Sequence, residues 1–145
     1  MSGSIKILIV EDNKDISTLM SDRLKKEHYN VLIAYDGQDA WDKIVSDDPD
    51  IILLDIMMPK LDGFSLLKKL REEPPTTKYQ PVIIISAKDE LADIKRGMSL
   101  EADHYITKPW QIEDILKGVK TVLKLLPQRK SHLEQKASER PPDGR

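Results

Sequence analysis

Apolar residues in this chain gather in short runs that stop abruptly at polar side chains. Ile5-Lys6-Ile7-Leu8-Ile9-Val10 runs into Glu11-Asp12, and Ile51-Ile52-Leu53-Leu54 into Asp55. Val82-Ile83-Ile84-Ile85 runs into Ser86-Ala87, and Asp103-His104-Tyr105-Ile106-Thr107 into Lys108-Pro109. A shorter run, Val31 to Ala34, precedes the turn signal Asp36-Gly37. Short β-branched runs of this kind read as strands buried on both faces, the habit of parallel sheets. The intervals between them are helix-length. Ile16, Leu19, Met20 and Leu24 have the spacing of a first helix, with Asn13 as its N-cap. Ala40, Trp41, Ile44 and Val45 share one side of a second, and Phe64, Leu67 and Leu70 mark a third. A fourth is expected over about 89–100. A fifth starts after Pro109 with the stripe Ile112, Ile115, Leu116, Val119, Val122, Leu123 and Leu126. That stripe reads first as packing against the sheet, and in part as a face for a partner or a second copy. Between Asp55 and the third helix, Pro59 and Gly63 read as blocking an early helical start.

Strands alternating with helices, joined by right-handed crossovers, give an α/β doubly wound sheet. The expected architecture is flavodoxin-like: five parallel strands in the order 2-1-3-4-5, with five helices. The first and third strands are then neighbours, which sets Glu11-Asp12 beside Asp55. All carboxyl ends share one edge, where open α/β sheets bind ligands. One domain is expected over residues 1–126. From 127 to 145 the composition turns polar, ending Pro141-Pro142-Asp143-Gly144-Arg145, and suits a flexible tail or a helical extension that frays.

Composition narrows the function classes. The 145 residues suit a single core. A net charge of −2 gives no electrostatic case for nucleic acid or an anionic membrane, and with no cysteine there is no thiol chemistry. No basic-then-apolar leader opens the chain, and no apolar stretch approaches the roughly 20 residues of a membrane helix. A cytoplasmic location is the default expectation.

The strand ends carry the chemistry. A loop that cradles phosphate directly wants Gly, Ser or Thr after the first strand. Here it is Glu11-Asp12-Asn13, which repels a bare phosphate. The loop makes sense if Mg²⁺, a hard cation suited to oxygen ligands, binds first and a phosphoryl group second. Asp55 is then the candidate nucleophile, forming an acyl phosphate. Lys108 suits an ion pair with Asp55 and afterwards with the phosphoryl group. The Ser86 hydroxyl and the Ala87 N–H suit its oxygens, and Tyr105 is a ring able to fill the space a moving hydroxyl leaves. Singly, each of these residues is ordinary: a solvated acid, a helix cap, a surface lysine. Their appearance at four strand ends in one register is what points to a site. His28, His104 and His132 lie outside that pattern and are read as non-catalytic, and Trp41 and Trp110 as packing residues. Two other readings remain open to the sequence. A Mg²⁺-dependent phosphotransferase on a small substrate needs a second carboxylate beside Asp55, and Ile56-Met57 supplies none. A phosphorylation-independent interaction module leaves the polar set without a purpose.

With these stretches in hand, the chain resembles a bacterial two-component response-regulator receiver domain over Ile5 to about Leu126. The matching segments are Ile7 to Asn13, Asp50 to Pro59, Leu61-Asp62-Gly63, Pro81 to Ala87 and Ala102 to Pro109. The resemblance implies Asp55 as the phosphoacceptor, and Mg²⁺ held by Glu11 through water, by Asp12 and Asp55, and by the Met57 backbone carbonyl. It implies Ser86 and Tyr105 as a switch pair, Ser86, Ala87 and Lys108 as phosphoryl-binding groups, and a cis Lys108-Pro109 bond. The donor would be a phosphohistidine on a sensor kinase or phosphotransfer protein. Output would pass through the fourth helix, fifth strand and fifth helix to a downstream protein, to an output domain outside this chain, or to a phosphorylation-dependent homodimer. Such a domain is no enzyme toward a separate substrate. It promotes only its own phosphorylation and dephosphorylation. Three positions depart from the family's habit. Glu101 stands where Gly is usual at a left-handed helix end, a strain of about 1 kcal/mol. Trp110 replaces a common Phe, and Ser86 a commoner Thr. Met57 and Lys88 occupy positions that affect acyl-phosphate lifetime.

Overall fold

The computed structural model describes residues 5–58, 61–75, 78–87, 95, 99 and 101–138, with side chains for all of these except 57, 58, 61, 62, 87 and 126–138. Five parallel strands form the main sheet: β1 (Lys6–Val10), β2 (Asn30–Ala34), β3 (Ile51–Asp55), β6 (Val82–Ala87) and β7 (His104–Lys108). Their order is β2-β1-β3-β6-β7, which is the expected 2-1-3-4-5. The remaining strands, β4 (Met57–Met58) and β5 (Leu61–Asp62), pair antiparallel in a small separate ribbon. The helices are α1 (Lys14–Lys26), α2 (Gly37–Asp47), α3 (Gly63–Glu72) and α4 (Ile112–Ser138). The helix expected over 89–100 lies outside the described residues, apart from Lys95 and Ser99, which are both helical.

Burial on both faces explains the unbroken apolar strands. On one face Leu8, Val10, Ile52, Leu54, Val82 and Ile84 meet α2 and α3 through Ala40, Ile44, Phe64, Leu67 and Leu70. On the other, Ile7, Ile9, Leu53, Ile83 and Ile85 meet α1 and α4 through Met20, Leu24, Ile115, Val119 and Val122. Side chains alternate along each strand, so a single run feeds both cores. Trp41 packs against the first and Trp110 against the second.

Three local expectations need correction. Leu19 is 50% exposed, because the inward line of α1 runs through Ser17, Met20, Ser21 and Leu24. Two small serines occupy places that a hydrophobicity count gives to a larger side chain. Val45 is 49% exposed, beyond the Ala40 and Ile44 line. Gly63 does not delay α3 but is its first residue, after a ribbon rather than an irregular loop. Other expectations hold. The Asn13 side chain accepts from Ile16 N–H at 3.0 Å, as an N-cap does. Glu101 has φ 64°, the left-handed geometry that its usual replacement by Gly implies, and Lys108-Pro109 is cis. The helix α4 continues through Pro127 to Ser138.

At the amino edge of the sheet, one network fixes the entry to β7. The Arg71 guanidinium donates to the Glu101 carbonyl from Nε (3.2 Å) and Nη2 (3.0 Å), to the Gln80 carbonyl (2.8 Å) and to the Asp103 carboxylate (3.0 Å). It also stacks 4.6 Å from the Tyr79 ring. Asp103 further accepts from Tyr79 Oη at 2.8 Å and Val82 N–H at 2.9 Å. The two charged side chains are only 12% and 8% exposed. Removing one partner of such a pair strands the other in low dielectric. Arg71→Met is therefore expected to cost about 3 kcal/mol, read as a lower urea midpoint at an unchanged slope. A loss under about 1 kcal/mol would show that the network behaves like a surface pair.

Candidate functional site

The parallel register brings the strand ends together. Val10 pairs with Leu54, so the next residues, Glu11 and Asp55, leave the sheet side by side. Asp55 pairs on its other side with Ile85, one residue before Ser86, and Ala87 pairs with Lys108. Asp55 is 3% exposed and receives a hydrogen bond and ion pair from Lys108 Nζ at 3.0 Å. Fifty-three positions separate these two in sequence.

Glu11 is buried as well, at 5% exposure. Its backbone N–H donates to the Ala34 carbonyl at 3.0 Å, holding it under the end of β2. Burial first, then the side-chain hydrogen bond with Asp55, push its carboxyl up to about 8, against the lowering effect of the Asn13 N–H. That N–H donates to Glu11 Oε2 at 3.0 Å. Asp12 is exposed and also shares a hydrogen bond with Glu11. Two buried carboxyl groups thus lie side by side, Glu11 favouring its protonated form and Asp55 paired with Lys108. Carboxyl oxygens gathered in this way are the donor type that suits a hard divalent cation. Among the described residues, no group of three or more His, Cys, Asp or Glu is arranged to hold a metal ion by itself.

Ser86 is fully buried, and among the described residues its Oγ has no hydrogen-bond partner. A buried hydroxyl without such a partner is costly. Tyr105 pairs with Ile84 across the β6–β7 ladder, while Ser86 pairs with Thr107. Strand side chains alternate, so Tyr105 and Ser86 share a sheet face in diagonal positions, and Tyr105 packs against the core on the side of α2 and α3. Met57 lies in β4, where its backbone is described and its side chain is not. The same holds for Ala87 in β6, and Lys88 lies outside the described residues.

A model of the response regulator receiver domain matches residues 7–120. The chain belongs to this family. The fold is shared with a response regulator signal receiver domain from Bermanella marisrubri, at 30% identity and TM-score 0.77, covering 83% of this chain and 98% of that one. The receiver domain of the Francisella response regulator 1452 is 35% identical with TM-score 0.74, over 83% and 98% of the two chains. The receiver also matches NtrX from Brucella abortus at 25% identity and TM-score 0.78, over 90% of this chain but 29% of that one. In that protein the fold is one part of a longer chain. No helix among the described residues of this receiver is long and apolar enough to cross a membrane.

Of the residues singled out in the sequence, the structure brings Glu11, Asp55, Ser86 and Lys108 to one edge of the sheet, with Tyr105 on the same strand as Lys108. The close approach of Gly63 to Ile56 is not readable from the sequence, where Gly63 reads as a turn residue. The signal in the sequence is its position, directly after the short β4–β5 ribbon that follows β3.

The raised Glu11 carboxyl sets a pH dependence. Below about 4.5 it is protonated whether folded or not, and between there and about 8 only the folded protein keeps the proton. Its contribution to stability is then full at low pH and is lost as pH rises through that window. In chelator-containing buffer, Glu11→Gln should gain melting temperature relative to wild type as pH rises from 4.5 to 8. A difference that stays constant with pH would contradict the assignment.

Proposed function

We propose that this receiver is a switch worked by phosphorylation of Asp55. The supporting observation is the buried Asp55–Lys108 pair at 3.0 Å, set beside Glu11 and the unpartnered Ser86 hydroxyl. An Asp55 carboxylate oxygen attacks phosphorus of a phosphohistidine carried by a sensor kinase or phosphotransfer protein. The O–P bond forms, the donor's N–P bond breaks, and the electron pair stays on the imidazole nitrogen, which is then protonated. Glu11, Asp12, Asp55 and the Met57 carbonyl would hold Mg²⁺, whose contribution when bound is to neutralise charge on the phosphoryl oxygens. Lys108, the Ser86 hydroxyl and the Ala87 N–H bind those oxygens. Two negative charges arrive where one was balanced by Lys108, and the Ser86 proton gains an acceptor.

Movement of Ser86 toward the phosphoryl group opens space on the face it shares with Tyr105. The ring then shifts inward, and the change is read along 89–100, β7 and α4. A groove of about 580 Å³ between β7 and α4, lined by Tyr105, Thr107, Asp114, Lys117, Gly118 and Thr121, offers that face a place for contact. The reader is a downstream protein, an output domain, or a second copy of the receiver. The residues from 127 to 145 act as an extension of the 1–126 receiver, in a cytoplasmic setting, with no direct role toward nucleic acid or membrane. The protein transforms no separate substrate.

Intact mass after incubation with a small-molecule phosphoryl donor tests this reading. One phosphoryl adduct is expected, dependent on Mg²⁺, labile at alkaline pH, and absent in Asp55→Ala. An unmodified wild type that nonetheless binds Mg²⁺ would sink the proposal and favour an interaction module that works without phosphorylation.

A further inference from the structure

The ribbon after Asp55 is a hairpin with an unusual neighbour. Met58 pairs with Leu61, and Met57 with Asp62. One step further along the same ladder, Gly63 stands opposite Ile56. The two backbones meet so closely that a β-carbon on Gly63 would lie 2.6 Å from Ile56 Cγ2, 3.0 Å from its Cα and 3.1 Å from its Cβ. A rotamer change relieves only the Cγ2 contact, whereas the contact with Cα involves the main chain itself. Glycine is needed here for space, as where two backbones approach closely.

Ile56 is the residue between Asp55 and Met57. Its N–H donates to the Ile85 carbonyl at 3.2 Å, and its side chain packs against the core on the side of α2 and α3. It is therefore held by β6 on one side and pressed by Gly63 on the other. The peptide that leaves the acceptor and leads to the Met57 carbonyl has one position compatible with both. The start of α3 has the same constraint, since Gly63 is its first residue and Phe64 is already buried.

We infer that Gly63 is a positioning residue for phosphoryl acceptance: its missing side chain lets α3 close against Ile56 and so fixes the backbone from Asp55 to Met57. This rests on the reading of Asp55 as the acceptor, and it adds a residue that touches neither metal nor phosphoryl group. A β-carbon would push Ile56 away from β6, lengthen the bond to Ile85 and displace the Met57 carbonyl, while leaving Asp55 and Lys108 chemically intact.

The test uses the full chain as wild type, Gly63→Ala, Ile56→Ala and the double variant, with Val122→Ala as a core truncation on the far face. Amide hydrogen exchange is followed at Ile56 and at Ile84, and adduct formation from a small-molecule phosphoryl donor is timed over a Mg²⁺ titration. In Gly63→Ala, the Ile56 amide should exchange at least tenfold faster while Ile84 is unchanged, and adduct formation should slow by about 10- to 100-fold with a higher Mg²⁺ requirement. The double variant should recover part of both, because Ile56→Ala removes the 2.6 Å contact and leaves those at 3.0 and 3.1 Å. Val122→Ala should lower the melting temperature and leave rate and Mg²⁺ requirement alone. If Gly63→Ala fails to fold, the double variant compared with Ile56→Ala carries the same comparison. Wild-type exchange at Ile56 and a wild-type rate in Gly63→Ala would overturn the positioning role while the acceptor reading stands. No adduct on wild type would overturn the acceptor reading, and the role with it.

Discussion

Two carboxylates buried side by side are the constraint around which this receiver is organised. Asp55 and Glu11 are both almost inaccessible, and the dielectric around them is low. In that setting, charge is tolerated only with compensation. The fold supplies it in two ways. Lys108 crosses from the edge strand to meet Asp55, and Glu11 keeps its proton well beyond the ordinary carboxylate range. Neither is a resting solution in the sense of a satisfied core. Each leaves carboxyl oxygens crowded at the edge of the sheet, the setting on which the proposed phosphoryl chemistry rests.

The rest of the architecture follows from bringing these groups to one place. A parallel sheet puts every carboxyl end on one edge, and the order β2-β1-β3-β6-β7 puts β3 in the middle. Asp55 therefore has Glu11 on one side and Ser86 on the other, with Lys108 reaching over from β7. Both faces must be covered for such a sheet to be stable, which the four described helices accomplish with two separate cores. The opposite edge shows a different economy of polar groups. There Arg71, Tyr79 and Asp103 meet in direct hydrogen bonds, so the end away from the chemistry is the one that is tied down.

Much of this was legible in the chain because it rests on local pattern. Unbroken β-branched runs announced strands covered on both faces, and the polar residue ending each run announced the edge. Glu101 was legible only through the family resemblance, where the usual Gly implies a left-handed residue, and φ is 64°. What escaped notice depends on tertiary approach. The exposure of Leu19 follows from two serines buried beneath α1, which no count of apolar residues reveals. The protonation of Glu11 depends on Asp55 across a strand pair and on the solvent they exclude together. The Arg71 network joins residues from 71 to 103 whose types, taken singly, suggest an ordinary surface. Gly63 reads as a turn residue until the position of Ile56 is known.

The clamp at the start of β7 has a mechanical consequence. β7 is an edge strand, paired with β6 along one side only. Its root is anchored by Asp103, whose carboxylate holds Arg71, Tyr79 and the Val82 amide. Its tip carries Lys108, tied through a single side-chain contact to the acid at the centre of the sheet. A beam fixed at one end and loaded at the other bends most at the loaded end. β7 can thus act as a cantilever, with Tyr105 partway along its length and α4 packed against its flank. A change of load at the tip becomes a deflection along the beam, and the anchored root gives that deflection something to push against.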